Sequence, residues 1–189
     1  FSDKIFAIFK QEAIFYKRRG GNVSWVGHPM LDLTKKLPAK KVSRIFLKLQ
    51  ANQNVLLLMP ASRPQELKYI LPTFLKTTKK LQLKYPSLFV YIPSCRRVFD
   101  EKFKKGLEKY QIKGKVISQQ DDSELMPYIY SLTKLALCKS GTVNMELALY
   151  GIPQIIGYRV SRVTAFIAKR ILNFKVKFIS PVNLLVRKF

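Results

Sequence analysis

Two rhythms of apolar and polar residues divide the chain. Short runs rich in apolar residues, bounded by turn-forming ones, recur at Val55-Leu-Leu-Leu-Met59, Leu88-Phe-Val-Tyr-Ile92, Lys115-Val-Ile-Ser118, Leu135-Ala-Leu-Cys138 and Gln154-Ile-Ile-Gly-Tyr158. Each predicts a strand. Between them, apolar residues return at helical spacing. Leu67, Ile70, Leu71, Phe74, Leu75 and Leu81 predict one helix, which Pro72 should bend or split. Residues 97–110 and 123–130 predict two more, the second carrying Pro127. Val143, Leu147, Ala148 and Tyr150 mark another, stopped by Gly151 and Pro153. A last helix is expected from Ser161, a suitable N-cap, to about Leu172, with its stripe at Val163, Phe166, Ile167 and Ile171. Strands alternating with helices in this way predict a doubly wound α/β domain on a parallel sheet covered on both faces.

The first part of the chain has a different texture. Lys4-Ile-Phe-Ala-Ile-Phe9 reads as a strand, residues 12–19 as a short helix ended by Gly20-Gly21, and Asn22-Val-Ser-Trp-Val26 as a second strand. Residues 1–32 are expected to be the end of a preceding domain. Residues 33–54 are Lys-rich, carry Pro38 and hold one short helix around 42–49, which suits a linker or crossing segment. Residues 55–189 then form the main α/β domain, incomplete at its C-terminal end. With Phe1 at its start and Arg-Lys-Phe at its end, the chain is expected to be part of a longer protein.

Charge narrows the choice of ligands. The chain carries 35 Lys+Arg against 11 Asp+Glu, a formal +24, and such a field favours polyanions: nucleic acid, an anionic membrane surface or phosphorylated substrates. The lysines spread through every predicted helix, a distribution that a general basic bias also gives. Aromatic residues sit in strand-like core positions, and no nucleic-acid-binding motif accompanies them, so a basic nucleic-acid-binding domain remains the weaker alternative. Cys95, Cys138 and the single histidine, His28, form neither a zinc-ligand cluster nor a Ser-His-Asp triad. No metal or cofactor is expected. No apolar run approaches the length of a membrane span.

In a doubly wound sheet, ligands bind beyond the carboxyl ends of the strands. The loops there are Pro60-Ala61-Ser62-Arg63, Ser118-Gln119-Gln120-Asp121, Ser140-Gly141-Thr142 and Gly157-Tyr158-Arg159-Val160-Ser161. A strand entering a helix through Ser140-Gly141-Thr142 should leave backbone N–H groups free for an anion, with the helix dipole behind them. Glu146, one turn on, could accept a sugar hydroxyl, or could be a plain surface residue. Arg63 and Arg159 on the same edge suit a diphosphate. Tyr158 fits either the site or the core.

Four stretches resemble bacterial lipid-A-disaccharide synthases. Gly27-His28-Pro29-Met30-Leu31-Asp32 is similar to that family's Gly-His-Pro-Leu-Leu/Val-Asp. Pro60-Ala61-Ser62-Arg63 with Glu66 resembles its Pro-Gly-Ser-Arg-x-x-Glu, with Ala61 adding a methyl at the usual glycine. Ser140-Gly-Thr-x-x-x-Glu146-Leu-Ala, Gly151-Ile-Pro153 and Tyr158-Arg-Val-Ser161 match its longest signature. Phe178-Ile-Ser-Pro-Val-Asn183 is similar to the loop that follows. The resemblance implies one Rossmann-like half of a GT-B glycosyltransferase that needs no metal. Such an enzyme transfers 2,3-diacylglucosamine from UDP-2,3-diacylglucosamine to 2,3-diacylglucosamine 1-phosphate at the cytoplasmic face of the inner membrane, and forms a homodimer. Its donor site would use Ser62, Arg63, Gln119, Ser140, Gly141, Thr142, Glu146, Tyr158, Arg159 and Asn183. The general base and the acceptor site are implied to lie in the preceding domain. His28 suits a structural role more than that of a base. A related GT-B enzyme acting on the peptidoglycan lipid precursor is the nearer alternative.

Overall fold

The computed structural model describes residues 3–34, 36–118 and 120–159, with the single positions 170, 180 and 182. Gln119, Asn183 and the stripe Val163, Phe166, Ile167 and Ile171 lie outside the described residues. The chain divides into two units, Phe1–Lys35 and Lys36–Phe189.

In the first unit, strand β1 (Ile5–Ala7), helix α1 (Lys10–Lys17) and strand β2 (Val23–Trp25) follow in order. β1 and β2 pair in parallel, with Ile5 opposite Val23 and Ala7 opposite Trp25, so α1 is the crossover between them. A one-turn helix, α2 (Met30–Leu33), follows β2. Its start is fixed by His28, whose Nδ1 accepts the Met30 N–H at 3.2 Å while its ring packs 5.4 Å from that of Phe9. His28 therefore has a structural task.

The second unit begins with α3 (Lys40–Phe46), β3 (Asn54–Met59), α4 (Pro64–Tyr69), α5 (Leu71–Lys84), β4 (Leu88–Ser94), α6 (Arg97–Lys109) and β5 (Gly114–Ser118). A short 3₁₀ turn at Ser123–Leu125 leads into α7 (Met126–Leu132), β6 (Thr133–Lys139), α8 (Val143–Leu149) and β7 (Gln154–Gly157). Pro72 splits the expected helix into α4 and α5. It sits in the first turn of α5, where a missing N–H costs nothing because that group has no partner in a helix start. α3 packs on α7, with the Phe46 and Tyr128 rings stacked at 4.0 Å and Ser43 Oγ donating to Ser131 Oγ at 3.0 Å.

All five strands of this unit are parallel, in the order β5-β4-β3-β6-β7. From β3 the chain moves outward through β4 to β5, then returns to the other side of β3 as β6. The order thus switches between β3 and β6, and the crevice for ligands opens at their carboxyl ends. β3 is central, and its alternation fills both faces. Leu56 and Leu58 join Phe74, Leu75, Phe99 and Phe103 on one side, while Val55 and Leu57 join Ile129, Leu132 and Leu147 on the other.

One glycine sets how close a helix comes to the sheet edge. A Cβ at Gly157 would stand 2.5 Å from the Phe74 ring, so only a bare backbone lets α5 pack there. That contact fixes the end of β7, from which Tyr158 and Arg159 leave the sheet.

Candidate functional site

The loops after β3 and β6 leave the sheet side by side, because Met59 is in register with Cys138. Asn144, fully buried, shapes the second of them. Its Oδ1 accepts the Gly141 N–H at 2.8 Å, and its Nδ2 donates to Lys139 O and Gln154 Oε1, both at 3.1 Å. Gln154 Nε2 returns a bond to Asn144 O at 2.9 Å. A buried amide satisfied on both ends rigidifies whatever it touches. The Gly141 N–H, expected to be free for an anion, is therefore committed to Asn144. The first turn of α8 is tight as well, with the Met145 and Glu146 N–H groups both reaching Thr142 O, at 3.0 and 3.3 Å.

Glu66 binds the loop after β3 to the start of α4. Its Oε2 accepts the Ser62 N–H at 2.6 Å, the Arg63 N–H at 3.0 Å and the Ser62 hydroxyl at 3.3 Å. Its Oε1 lies 3.2 Å from Lys139 Nζ at the end of β6, with side chains 19% and 16% exposed respectively. Burial pushes the Glu66 carboxyl up. The Ser62 N–H, then the Lys139 ammonium and the Arg63 N–H, outweigh it and hold the group below the usual carboxylate range.

Two cavities meet at Lys139. The larger, about 550 Å³, is lined by Arg63, Lys68, Lys139, Ser140, Tyr158 and Arg159 among others, with Glu66 the one carboxylate among the described residues that line it. The smaller, about 200 Å³, is lined by Ser62, Cys95, Thr142 and Glu146, and shares Lys139. Of the sequence-expected residues, Arg63, Ser140, Tyr158 and Arg159 thus come together around one cavity, and Ser62, Thr142 and Glu146 around the other. Gly141 joins them in the turn. Tyr158 is 56% exposed and is no core residue. Arg159 Nη1 lies 3.4 Å from Thr73 Oγ1 on α5, which steadies its guanidinium at the rim. Glu146 is half-buried and accepts a hydrogen bond from Tyr130 at 2.9 Å, so it is not a plain surface residue.

Lys68, Lys139, Asn144 and Tyr130 were not singled out in the sequence. Lys139 left one sign, a charge closing a strand whose preceding residues, Ala136 to Cys138, are all buried. Among the described residues, no group of three or more His, Cys, Asp or Glu side chains could hold a metal ion.

A five-stranded parallel sheet in this order, with a cation-rich crevice at its switch point, is a Rossmann-like domain of the kind that makes up one half of a GT-B fold. The structure of UDP-GlcNAc 2-epimerase from Neisseria meningitidis bound to UDP-GlcNAc has the same fold, with a TM-score of 0.58 at 17% identity over 88% of this chain and 47% of that one. A glycosyltransferase involved in lipopolysaccharide biosynthesis also shares it, with a TM-score of 0.53 at 15% identity over 81% and 43% of the two chains. The family model for lipid-A-disaccharide synthetase matches residues 1–189, and the chain belongs to that family. It is 49% identical over 188 residues to the lipid-A-disaccharide synthase of Prochlorococcus marinus, covering 100% of this chain and 48% of the relative. With the Gloeothece citriformis enzyme it shares 38% over 185 residues, covering 98% and 47%. The chain thus spans about half the length of the curated relatives it matches.

Proposed function

We propose that this chain is the donor-binding half of a glycosyltransferase. The whole enzyme would transfer 2,3-diacylglucosamine from UDP-2,3-diacylglucosamine to 2,3-diacylglucosamine 1-phosphate, releasing UDP and the lipid A disaccharide. The observation that carries this reading is the larger cavity, where Arg63, Lys68, Lys139 and Arg159 face one carboxylate at the switch point of the sheet. As the glycosidic bond to the donor breaks, negative charge builds on the departing diphosphate. Fixed cations at that point stabilise the transition state more than the ground state. Arg63 and Arg159 take the phosphate oxygens, and Ser140, Gly141 and Thr142 border them. Glu146 and Ser62, in the adjoining cavity, take the ribose hydroxyls. Gln119 and Asn183 are assigned to the donor by family resemblance, as is the placement of the general base in the preceding domain.

Family membership supports this activity over a peptidoglycan-precursor transferase or a basic nucleic-acid-binding module, and no observation favours either alternative. Among the described residues, no helix is long and apolar enough to cross a membrane. With a net charge of +24, attachment to the anionic inner face of the inner membrane is the proposed way of meeting lipid substrates. A homodimer of the whole enzyme is part of the same reading.

Calorimetric titration of the 189-residue chain with UDP, UMP and uridine tests the donor site, and UDP is expected to bind tightest. Disaccharide formation is expected from the full-length enzyme and absent from this chain alone, since a GT-B site draws on both domains. Absence of UDP binding, or RNA binding that survives moderate salt, would overturn the reading.

A further inference from the structure

The larger and smaller cavities share one side chain, Lys139. We propose that Lys139 is a direct ligand of the donor's diphosphate, held in position by Glu66. The proposal rests on the reading of this crevice as a UDP site.

A Cβ built on Gly141 would stand 3.1 Å from Lys139 Nζ, so the ammonium lies over the backbone of the Ser140-Gly141-Thr142 turn. An anion resting against that turn meets Lys139. The Gly141 N–H is already donated to Asn144, so the turn has one amide fewer to offer an anion, and a side-chain cation beside it adds what that amide cannot. An ammonium has three donors, and the Glu66 contact at 3.2 Å engages one of them.

Lys139 is 16% exposed, a depth at which an ammonium needs an anionic partner. Glu66 supplies one, but its carboxylate also serves two backbone N–H groups and the Ser62 hydroxyl. Its negative charge is shared among these donors, and Arg63, Lys68 and Arg159 stand around the same cavity. The crevice therefore stays cationic after the ion pair has formed. Glu66 is a positioning residue: it holds the long lysine stem across from β6 to the α4 cap, so the ammonium points along the seam of the two cavities.

The test is calorimetric titration of UDP and UMP into the chain and its variants. Lys139→Met is expected to weaken UDP binding about tenfold, the scale of one charge-assisted hydrogen bond, and UMP binding by less. Lys139→Arg should keep UDP within about threefold of the parent, because it retains charge and donors. Glu66→Gln should narrow the UDP-to-UMP ratio while leaving some UDP binding. If Lys139→Met leaves an unpaired Glu66 that destabilises the fold, the double variant K139M/E66Q removes both charges and carries the same expectation. UDP binding that is unchanged in K139M or in the double variant, or lowered equally for UDP and UMP, would overturn the proposal while leaving the UDP site intact. A parent chain that binds no UDP would overturn both.

Discussion

The Tyr130 hydroxyl on α7 donates to Glu146 Oε1 on α8 at 2.9 Å, linking two helices on the same face of the sheet. Burial first, and the Glu146 charge second, push the phenol far above its ordinary 10, so it stays a donor across the range in which the protein is folded. With one oxygen tied back, the Glu146 carboxylate has a set orientation beside the smaller cavity. Tyr130→Phe keeps the ring and its packing against Tyr150, and removes the donor. Its expected effects are a stability loss of about 2 kcal/mol, the scale of a hydrogen bond to a charged group, and weaker UDP binding. The loss of affinity should be smaller for 2′-deoxy-UDP, which lacks one hydroxyl for Glu146 to accept. Equal losses for the two nucleotides would remove Glu146 from the ribose.

Asn144 makes a sharper prediction for the fold. Asn144→Leu conserves volume but leaves the Gly141 N–H, the Lys139 carbonyl and Gln154 Oε1, all partly buried, without this partner. Each such group costs about 1–3 kcal/mol, so the variant should lose roughly 3 kcal/mol or more in urea unfolding. UDP affinity should fall with it, because the Ser140-Gly141-Thr142 turn loses its anchor. Asn144→Asp keeps the acceptor for Gly141 but sets a carboxylate oxygen against Gln154 Oε1 and Lys139 O, and should be no better.

The two thiols offer a probe that needs no substitution. Cys138 is buried under α8, and burial pushes its thiol up to about 11, leaving it a poor nucleophile. Cys95 is exposed and lines the smaller cavity beside Thr142 and Glu146. An alkylating reagent should therefore modify Cys95 in the native protein and Cys138 only after unfolding. Saturating UDP should slow the first reaction. Unchanged Cys95 kinetics with UDP bound would place the nucleotide away from this cavity.

Much of this architecture was legible in the sequence, because periodicity reports burial directly. Val55 to Leu58 are all buried, and a run apolar on both faces fits only a central strand of a covered sheet. Pro72 announced the division of α4 from α5 for a reason local to its own ring. The segments that follow β3, β6 and β7 brought Arg63, Ser140, Tyr158 and Arg159 to one cavity, as the topology required. What the sequence hid is pairing over distance. Lys139 and Glu66 are far apart in the chain, as are Tyr130 and Glu146, and no spacing rule connects either pair. The same limit explains the turn after β6. Its sequence suggests free amides, but Asn144, three residues on, folds back to occupy one of them.

Acid should expose the Glu66 linkage. Its folded carboxyl lies below the ordinary 4.5, so the sign is that of a depressed acid. The stability it contributes is fully present above 4.5 and is lost as pH falls through the lower, folded value, where the carboxylate takes up a proton and releases Lys139. Glu66→Gln cannot titrate. It should be less stable than the parent near neutral pH, since a neutral amide is a weaker partner for Lys139 and for the Ser62 and Arg63 N–H groups. Urea unfolding from about pH 7 to about pH 3 should show a constant gap between the two proteins down to about pH 5, then a narrowing gap below it. Protonation removes from the parent what the substitution removed from the variant. A gap that stays constant to about pH 3 would mean that the carboxylate is not held ionised by these donors, and that Lys139 is positioned by something other than Glu66.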